Sequence, residues 1–168
     1  MKPLALVALA VACAVIGLSG ASVPPRLIWN ASHSVPIGLY RIDFQAPGRD
    51  DLVLIRLSPS LAGLANRRGY LHGTDYVLKP IAATVGDQVC RIDLAIVVRG
   101  TVAAIARRQD GANRPMPVWH GCRRLSAGEL FLLSASPDSF DSRYFGPIAP
   151  PDVIGRAKPI WTISDTRK

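Results

Sequence analysis

Three cysteines and three histidines in 168 residues leave little material for a metal centre. Cys90 and Cys122 lie far apart, and His33, His72 and His120 show no ligand spacing with them, so neither a metal site nor a cofactor is expected. Acidic residues are also few, 12 against 20 Lys and Arg, for a formal net charge of +8. That balance raises nucleic acid as a partner. The chain nevertheless lacks a basic helix and lacks any basic stripe interleaved with aromatics; its charges come as scattered pairs, Arg67-Arg68, Arg107-Arg108 and Arg123-Arg124. No nucleic-acid partner is expected. An anionic membrane surface fits better, since a basic side chain near such lipids contributes about 1 kcal/mol. Lysine is scarce as well: Lys79 is the only one between Lys2 and Lys158. Internal repeats, linkers and low-complexity tracts are missing.

Charge is absent altogether between Lys2 and Arg26, in "MKPLALVALAVACAVIGLSGASVPP". Leu4 to Val23 approaches the roughly 20 apolar residues that cross a bilayer as a helix. With its positive charge at the extreme end, this segment should keep the N-terminus in the cytoplasm and send the rest across. Residues 1–23 are therefore expected to form an N-terminal transmembrane anchor and residues 24–168 an exported domain. A cleavable signal peptide is the competing reading, with Ser19, Gly20 and Ala21 as small residues for processing. Cys13 falls within the apolar segment. Cys90 and Cys122, the two in the exported part, suggest a disulfide in an oxidising compartment, against the alternative of two buried free thiols.

Beyond Pro24-Pro25, helical periodicity is sparse, and short apolar runs rich in β-branched residues recur between turn signals. Strands are expected over Asp51–Leu57, over Asp75–Val89 with a bend near Pro80, over Gly128–Ala135 and over Ile154–Ile163. Leu94–Ala106 reads as a hairpin around Arg99-Gly100. One helix is expected in "SPSLAGLANRRG", with Ser58 as cap, Pro59 in the first turn and Gly69 at the end. The architecture implied is mainly β, of barrel or folded-sheet type, behind the anchor.

The stretch "NASHSVPIGLY" (Asn30–Tyr40) carries two serines two apart, then a proline and a glycine. A serine is a poor nucleophile until a base takes its proton. His33 adjoins Ser34, but neighbours on an extended strand point to opposite sides, which leaves His33 badly placed. His72 and His120 sit in polar, loop-like surroundings. Lys79 is the better base. In "DYVLKPIAATVGD" it is flanked by Val77, Leu78, Pro80 and Ile81, company that disfavours the charged form and lowers its pKa. A neutral amine can accept a serine proton, whereas arginine, this chain's usual cation, effectively cannot deprotonate. The plainer alternative is a strand-edge lysine reaching out to water.

"SHSVPIGLY" resembles the nucleophile box of the type I signal peptidases, above all the Ser-x-Pro-x-Gly-x-Tyr form of TraF-type conjugal-transfer peptidases. "LKPIAATVGDQV" resembles that family's lysine box. "SPDSFDSRYFGPI" (Ser136–Ile148), with "IGRA" after it, resembles the Asp-Ser-Arg-Tyr-aromatic-Gly box. The three occur in family order behind an apolar N-terminus and span nearly the whole exported part. The resemblance implies a signal-peptidase/LexA-like folded, barrel-like sheet behind one transmembrane helix. It assigns Ser34 as nucleophile, Lys79 as general base and Ser32 as a hydroxyl that helps stabilise the oxyanion beside the Ser34 N–H. It assigns Ser139 as the group that orients the lysine amine, and Asp141 with Arg143 as a bracing charged pair whose alternative is a purely structural one. It also places Cys90 and Cys122 where TraF-type chains carry a cysteine pair.

Three departures separate this chain from the housekeeping leader peptidases: Ser34-Val35-Pro36 in place of Ser-Met, "SASPD" in place of Gly-Asp-Asn-x-Asp, and a short insert between the second and third boxes. The resemblance accordingly implies a bacterial inner-membrane, single-pass serine endopeptidase with a periplasmic catalytic domain. Its implied partners are the lipid bilayer, a membrane-tethered pilin or signal-peptide-bearing precursor and other conjugative transfer proteins, and its product is a matured and even cyclised pilin. A general type I leader peptidase and a non-catalytic component of a conjugative secretion channel are the alternatives.

Overall fold

The structure, a computed structural model, describes residues 24–163. The expected anchor over residues 1–23, with Cys13, lies outside the described residues. Among those described, no helix is long and apolar enough to cross a membrane.

Among the described residues, ten strands, two short α-helices and one 3-10 turn (Pro150–Asp152) make up a mainly β architecture. In chain order the strands and α-helices are β1 (Leu27–Asn30), β2 (Gly38–Asp43), β3 (Leu52–Arg56), α1 (Pro59–Arg67), β4 (Tyr76–Ala83), β5 (Gln88–Ile92), β6 (Ala95–Val98), β7 (Thr101–Ile105), β8 (Gly121–Arg124), β9 (Phe131–Leu132), α2 (Ser142–Phe145) and β10 (Val153–Thr162). Six strands form one sheet in the order β1-β2-β10-β3-β4-β9, and four form another in the order β7-β6-β5-β8. All pairings are antiparallel.

Because successive side chains of a strand point to opposite faces, the six-stranded sheet divides two apolar clusters. Val53 and Ile55 of β3, with Val77, Ile81 and Ala83 of β4, enter the larger cluster, which also receives α1, Phe131 and Tyr144. Leu54 and Leu78, directly paired across the same two strands, point the other way, toward Tyr40, Ile42 and Ala157.

Several expected elements occur where the sequence places them. Helix α1 follows Ser58 with proline in its first turn, and Gly69 beyond its end takes φ of 73°. The β6–β7 hairpin turns on Arg99 and Gly100, at φ 50° and 80°, the doubly positive pair that matches the twist of the flanking strands. The expected bend at Pro80 does not occur: β4 runs through it. Ile81 exchanges its N–H and carbonyl with Asp51 and Asp50 on the β3 side. The donor that proline lacks therefore faces the β9 side, where the neighbouring strand is only two residues long.

The strand expected over Gly128–Ala135 shrinks to that pair. Ser126–Glu129 closes a turn before it, and the Ser134 N–H beyond it bonds the Asp141 carboxylate in place of a neighbouring strand. Strand β8, unforeseen, is exposed along its whole length. Cys90 and Cys122 stand directly opposite each other on β5 and β8 and are joined by a disulfide, with 4.0 Å between their Cα atoms.

Candidate active site

The loop between β1 and β2 starts and ends on a pair, since Asn30 and Gly38 face each other across the two strands. Asn30 is buried, and its carboxamide organises the loop from inside. Its Nδ2 donates to the carbonyls of Ser32 (2.9 Å), Val35 (3.0 Å) and Pro36 (3.0 Å), while Oδ1 accepts the Ser32 N–H (3.2 Å) and hydroxyl (2.9 Å). The Pro36 carbonyl also accepts the hydroxyl of Tyr40 at 2.6 Å. Tyr40 is wholly buried, and burial raises its pKa. Gly38 cannot carry a side chain: a Cβ there would meet the Trp161 carbonyl oxygen at 2.2 Å.

Within this loop the Ser34 hydroxyl lies 2.9 Å from that of Ser32. Ser32 has one proton and gives it to Asn30 Oδ1, which cannot donate, so Ser34 donates to Ser32. Ser34 and its neighbour His33 belong to a turn. The extended-strand geometry expected for this pair is thus corrected, because Asn30 gathers three carbonyls of the loop around one side chain and bends it. The Ser34 hydroxyl nonetheless meets Ser32 rather than an imidazole. The Ser34 carbonyl accepts the hydroxyl of Ser134 at 2.5 Å. Among the described residues its N–H has no hydrogen-bond partner.

Lys79 sits opposite Val53 in the middle of the six-stranded sheet. By strand alternation it shares its face with Val77 and Ile81, and it is 5% exposed. It does not reach for water. Its Nζ donates to Ser139 Oγ at 2.8 Å. Loss of solvent is the main reason its pKa falls from 10.5 to about 8; the nearby Asp141 carboxylate pulls it upward and the Arg143 guanidinium pushes it further down.

Asp141 and Arg143 are buried and bonded at two points, Nε to Oδ1 at 2.8 Å and Nη2 to Oδ2 at 3.0 Å. Asp141 also caps α2 by accepting the Arg143 N–H.

Ser32, Ser34, Lys79 and Ser139 line one cavity of about 540 Å³, whose wall includes Ile28, Trp29, Tyr70 and Met116. The structure therefore gathers the nucleophile and base expected from the sequence around a single space, with no hydrogen bond between Ser34 and Lys79. His33 and His72 reach the wall of the cavity; His120 is exposed elsewhere. Among the described residues no three His, Cys, Asp or Glu side chains cluster so as to hold a metal ion.

Two residues escaped the sequence reading. Asn30 stood inside the quoted stretch but carried no chemistry of its own. Ser134 lies in "SASPD", a stretch with no catalytic pattern of its own. The signal available for both was a small polar residue beside an apolar strand, too common to single out.

A buried amine whose pKa lies near 8 and a loop serine thus share the lining of one cavity. The family model for signal peptidase, peptidase S26, matches residues 1–162, and the chain belongs to that family. Its relatives include plasmid transfer protein TraF of Escherichia coli, 29% identical over 157 residues, with 86% of this chain and 88% of the relative covered. The probable conjugal transfer protein TraF of Sinorhizobium fredii is 32% identical over 174 residues, covering 96% and 90%. The conjugal transfer protein TraF of Agrobacterium tumefaciens is 32% identical over 160 residues, covering 88% and 89%. A signal peptidase I from Enterococcus faecalis aligns in structure at a TM-score of 0.38 and 19% identity, over 68% of this chain and 98% of its own.

Proposed function

We propose that this chain is a membrane-anchored serine endopeptidase in which Ser34 is the nucleophile and Lys79 the general base, acting on a membrane-tethered precursor of a conjugative pilin. The observation that carries the reading is Lys79 itself: buried, bonded to one hydroxyl, and on the same cavity wall as Ser34. Membership of the signal peptidase family supports a substrate bearing a signal peptide, and the TraF relatives support the conjugative setting. Residues 1–23 would hold the enzyme in the inner membrane with its cavity on the periplasmic side.

At rest, the proton of Ser34 points to Ser32. Entry of a scissile carbonyl would draw the Ser32 hydroxyl toward the carbonyl oxygen and free Ser34 to turn its proton toward the neutral amine of Lys79. As Ser34 Oγ bonds to the carbonyl carbon, the Ser34 N–H and the Ser32 hydroxyl would share the developing oxyanion. The Lys79 ammonium then protonates the leaving amine, and the acyl-enzyme is released by water, or by an amine of the substrate to give a ring. Ser139 keeps the lysine amine directed into the cavity throughout.

The test is processing of the pilin precursor in cells that carry Ser34→Ala or, separately, Lys79→Ala. Accumulation of unprocessed precursor in both is expected. Normal processing in both would remove the dyad and leave the chain a scaffold of the secretion channel.

A further inference from the structure

The ion pair Asp141–Arg143 makes no hydrogen bond to Ser34, Lys79 or Ser139 among the described residues, yet it is joined to the Ser34 backbone through one residue. Ser134 is 4% exposed, and each of its polar groups is engaged. Its N–H donates to Asp141 Oδ2 at 3.0 Å, and its carbonyl accepts Arg143 Nη2 at 2.7 Å. Its hydroxyl accepts the Ser136 N–H at 3.2 Å and donates to the Ser34 carbonyl at 2.5 Å, 100 residues away in the chain. The two members of the ion pair thus fix both ends of Ser134's backbone, and Ser134 passes that order to Ser34.

We infer that Ser134 is a positioning residue for Ser34, through which Asp141 and Arg143 orient the nucleophile. The inference rests on the reading of Ser34 as the nucleophile. A carbonyl held at a fixed point sets the rotation of the peptide plane after Ser34, and with it the direction in which the Ser34 side chain leaves the loop. Asn30 fixes the carbonyls on either side, of Ser32, Val35 and Pro36. The Ser34 carbonyl, between Ser32 and Val35, is held by Ser134 instead. A buried ion pair beside a reacting group is costly to keep unless its geometry serves something, and here its hydrogen bonds run toward the nucleophile's main chain. Misplacement of a nucleophile by a fraction of an ångström lowers the rate without changing how substrate is held.

The experiment uses the full-length enzyme in detergent and p-nitrophenyl acetate, whose p-nitrophenolate release reports acylation without knowledge of the natural substrate. Ser34→Ala defines the background. Ser134→Ala keeps the N–H and carbonyl that the ion pair holds and removes only the hydroxyl. Its kcat is expected to fall about tenfold, with KM within twofold of the parent and the pH of half-maximal rate unchanged. Ser134→Thr, which restores a hydroxyl, should recover most of the loss. A Ser34-dependent rate that Ser134→Ala leaves at the parental kcat overturns the positioning role while the nucleophile assignment stands. So does a loss that threonine does not restore, or one matched by a rise in KM. A parental rate that Ser34→Ala does not lower overturns the nucleophile assignment and the inference with it.

Discussion

In the proposed mechanism Lys79 concentrates the chemistry, and its burial also carries a cost in stability. With its pKa near 8, the neutral fraction falls about tenfold for each pH unit below that value. The rate should therefore climb with pH up to about 8 and then level, and at pH 6 it should be about a hundredfold below the plateau. A flat profile between pH 5 and 8 would show that some other group removes the proton. The stability consequence has a definite sign. The folded pKa lies below the unfolded value, so unfolding takes up a proton, and stability declines as pH falls from about 10.5 to about 8, below which the loss is complete. The shift corresponds to about 3 kcal/mol, offset in part by the bond to Ser139. Lys79→Met should be inactive and yet about 2 kcal/mol more stable than the parent at pH 7, with the gain shrinking as pH rises from about 8 to about 10.5. Urea unfolding midpoints of both proteins at pH 7 and 10.5 measure this; equal midpoints at pH 7 would mean that the lysine is not desolvated. Lys79 was legible in the sequence because it is one lysine in an apolar run. Asn30 and Ser134 were not, because their roles consist of bonds to main-chain groups that only the folded loop brings near.

Strands announced themselves where alternation or turn chemistry was local. The Arg99-Gly100 hairpin and helix α1 each carry their signals within a dozen residues. Strand β8 carries none: all four residues are exposed, and what holds Gly121–Arg124 extended is β5 and the disulfide beside it. Strands β1 and β2 likewise carry little local signal, because what defines them is the pairing of Asn30 with Gly38 across the loop they close. That pairing yields a prediction of its own. Gly38→Ala would drive a methyl group into the Trp161 carbonyl oxygen of β10, so β2 and β10 must separate locally. A loss of well over 1 kcal/mol is expected, accompanied by loss of activity as the loop shifts, and thermal melting together with the acylation rate would reveal it. Parental melting and rate would mean that the two strands can part without disturbing the loop.

Across the whole molecule, the two sheets divide the labour. Ser34 and Lys79 belong to the six-stranded sheet and its loops, while the disulfide ties two strands of the four-stranded one. The bridge closes a loop with a sequence separation of 32, for which the chain-entropy model gives about 3–4 kcal/mol. Replacing both cysteines by alanine should therefore lower the unfolding free energy by that amount, read from the shift of the denaturation midpoint, and leave kcat unchanged at temperatures where the variant stays folded. A fall in kcat would show that the smaller sheet supports the site after all. The resemblance of three separated boxes made the general placement of the site legible, since each box marks one contributor to the cavity. The order in which strands assemble was beyond it, because that order depends on pairings between distant parts of the chain.

One of those pairings governs timing. Strand β10 (Val153–Thr162), the last in chain order among the described residues, lies between β2 and β3. Until it arrives, the hairpin that carries the serine and the pair of strands that carries the lysine have no shared edge, and closing such long-range pairings is slow. A nascent or prematurely ended chain therefore holds Ser34 and Lys79 on pieces with no shared sheet edge. Under the proposed mechanism, proteolytic competence would therefore wait for the one strand that bridges those two pieces.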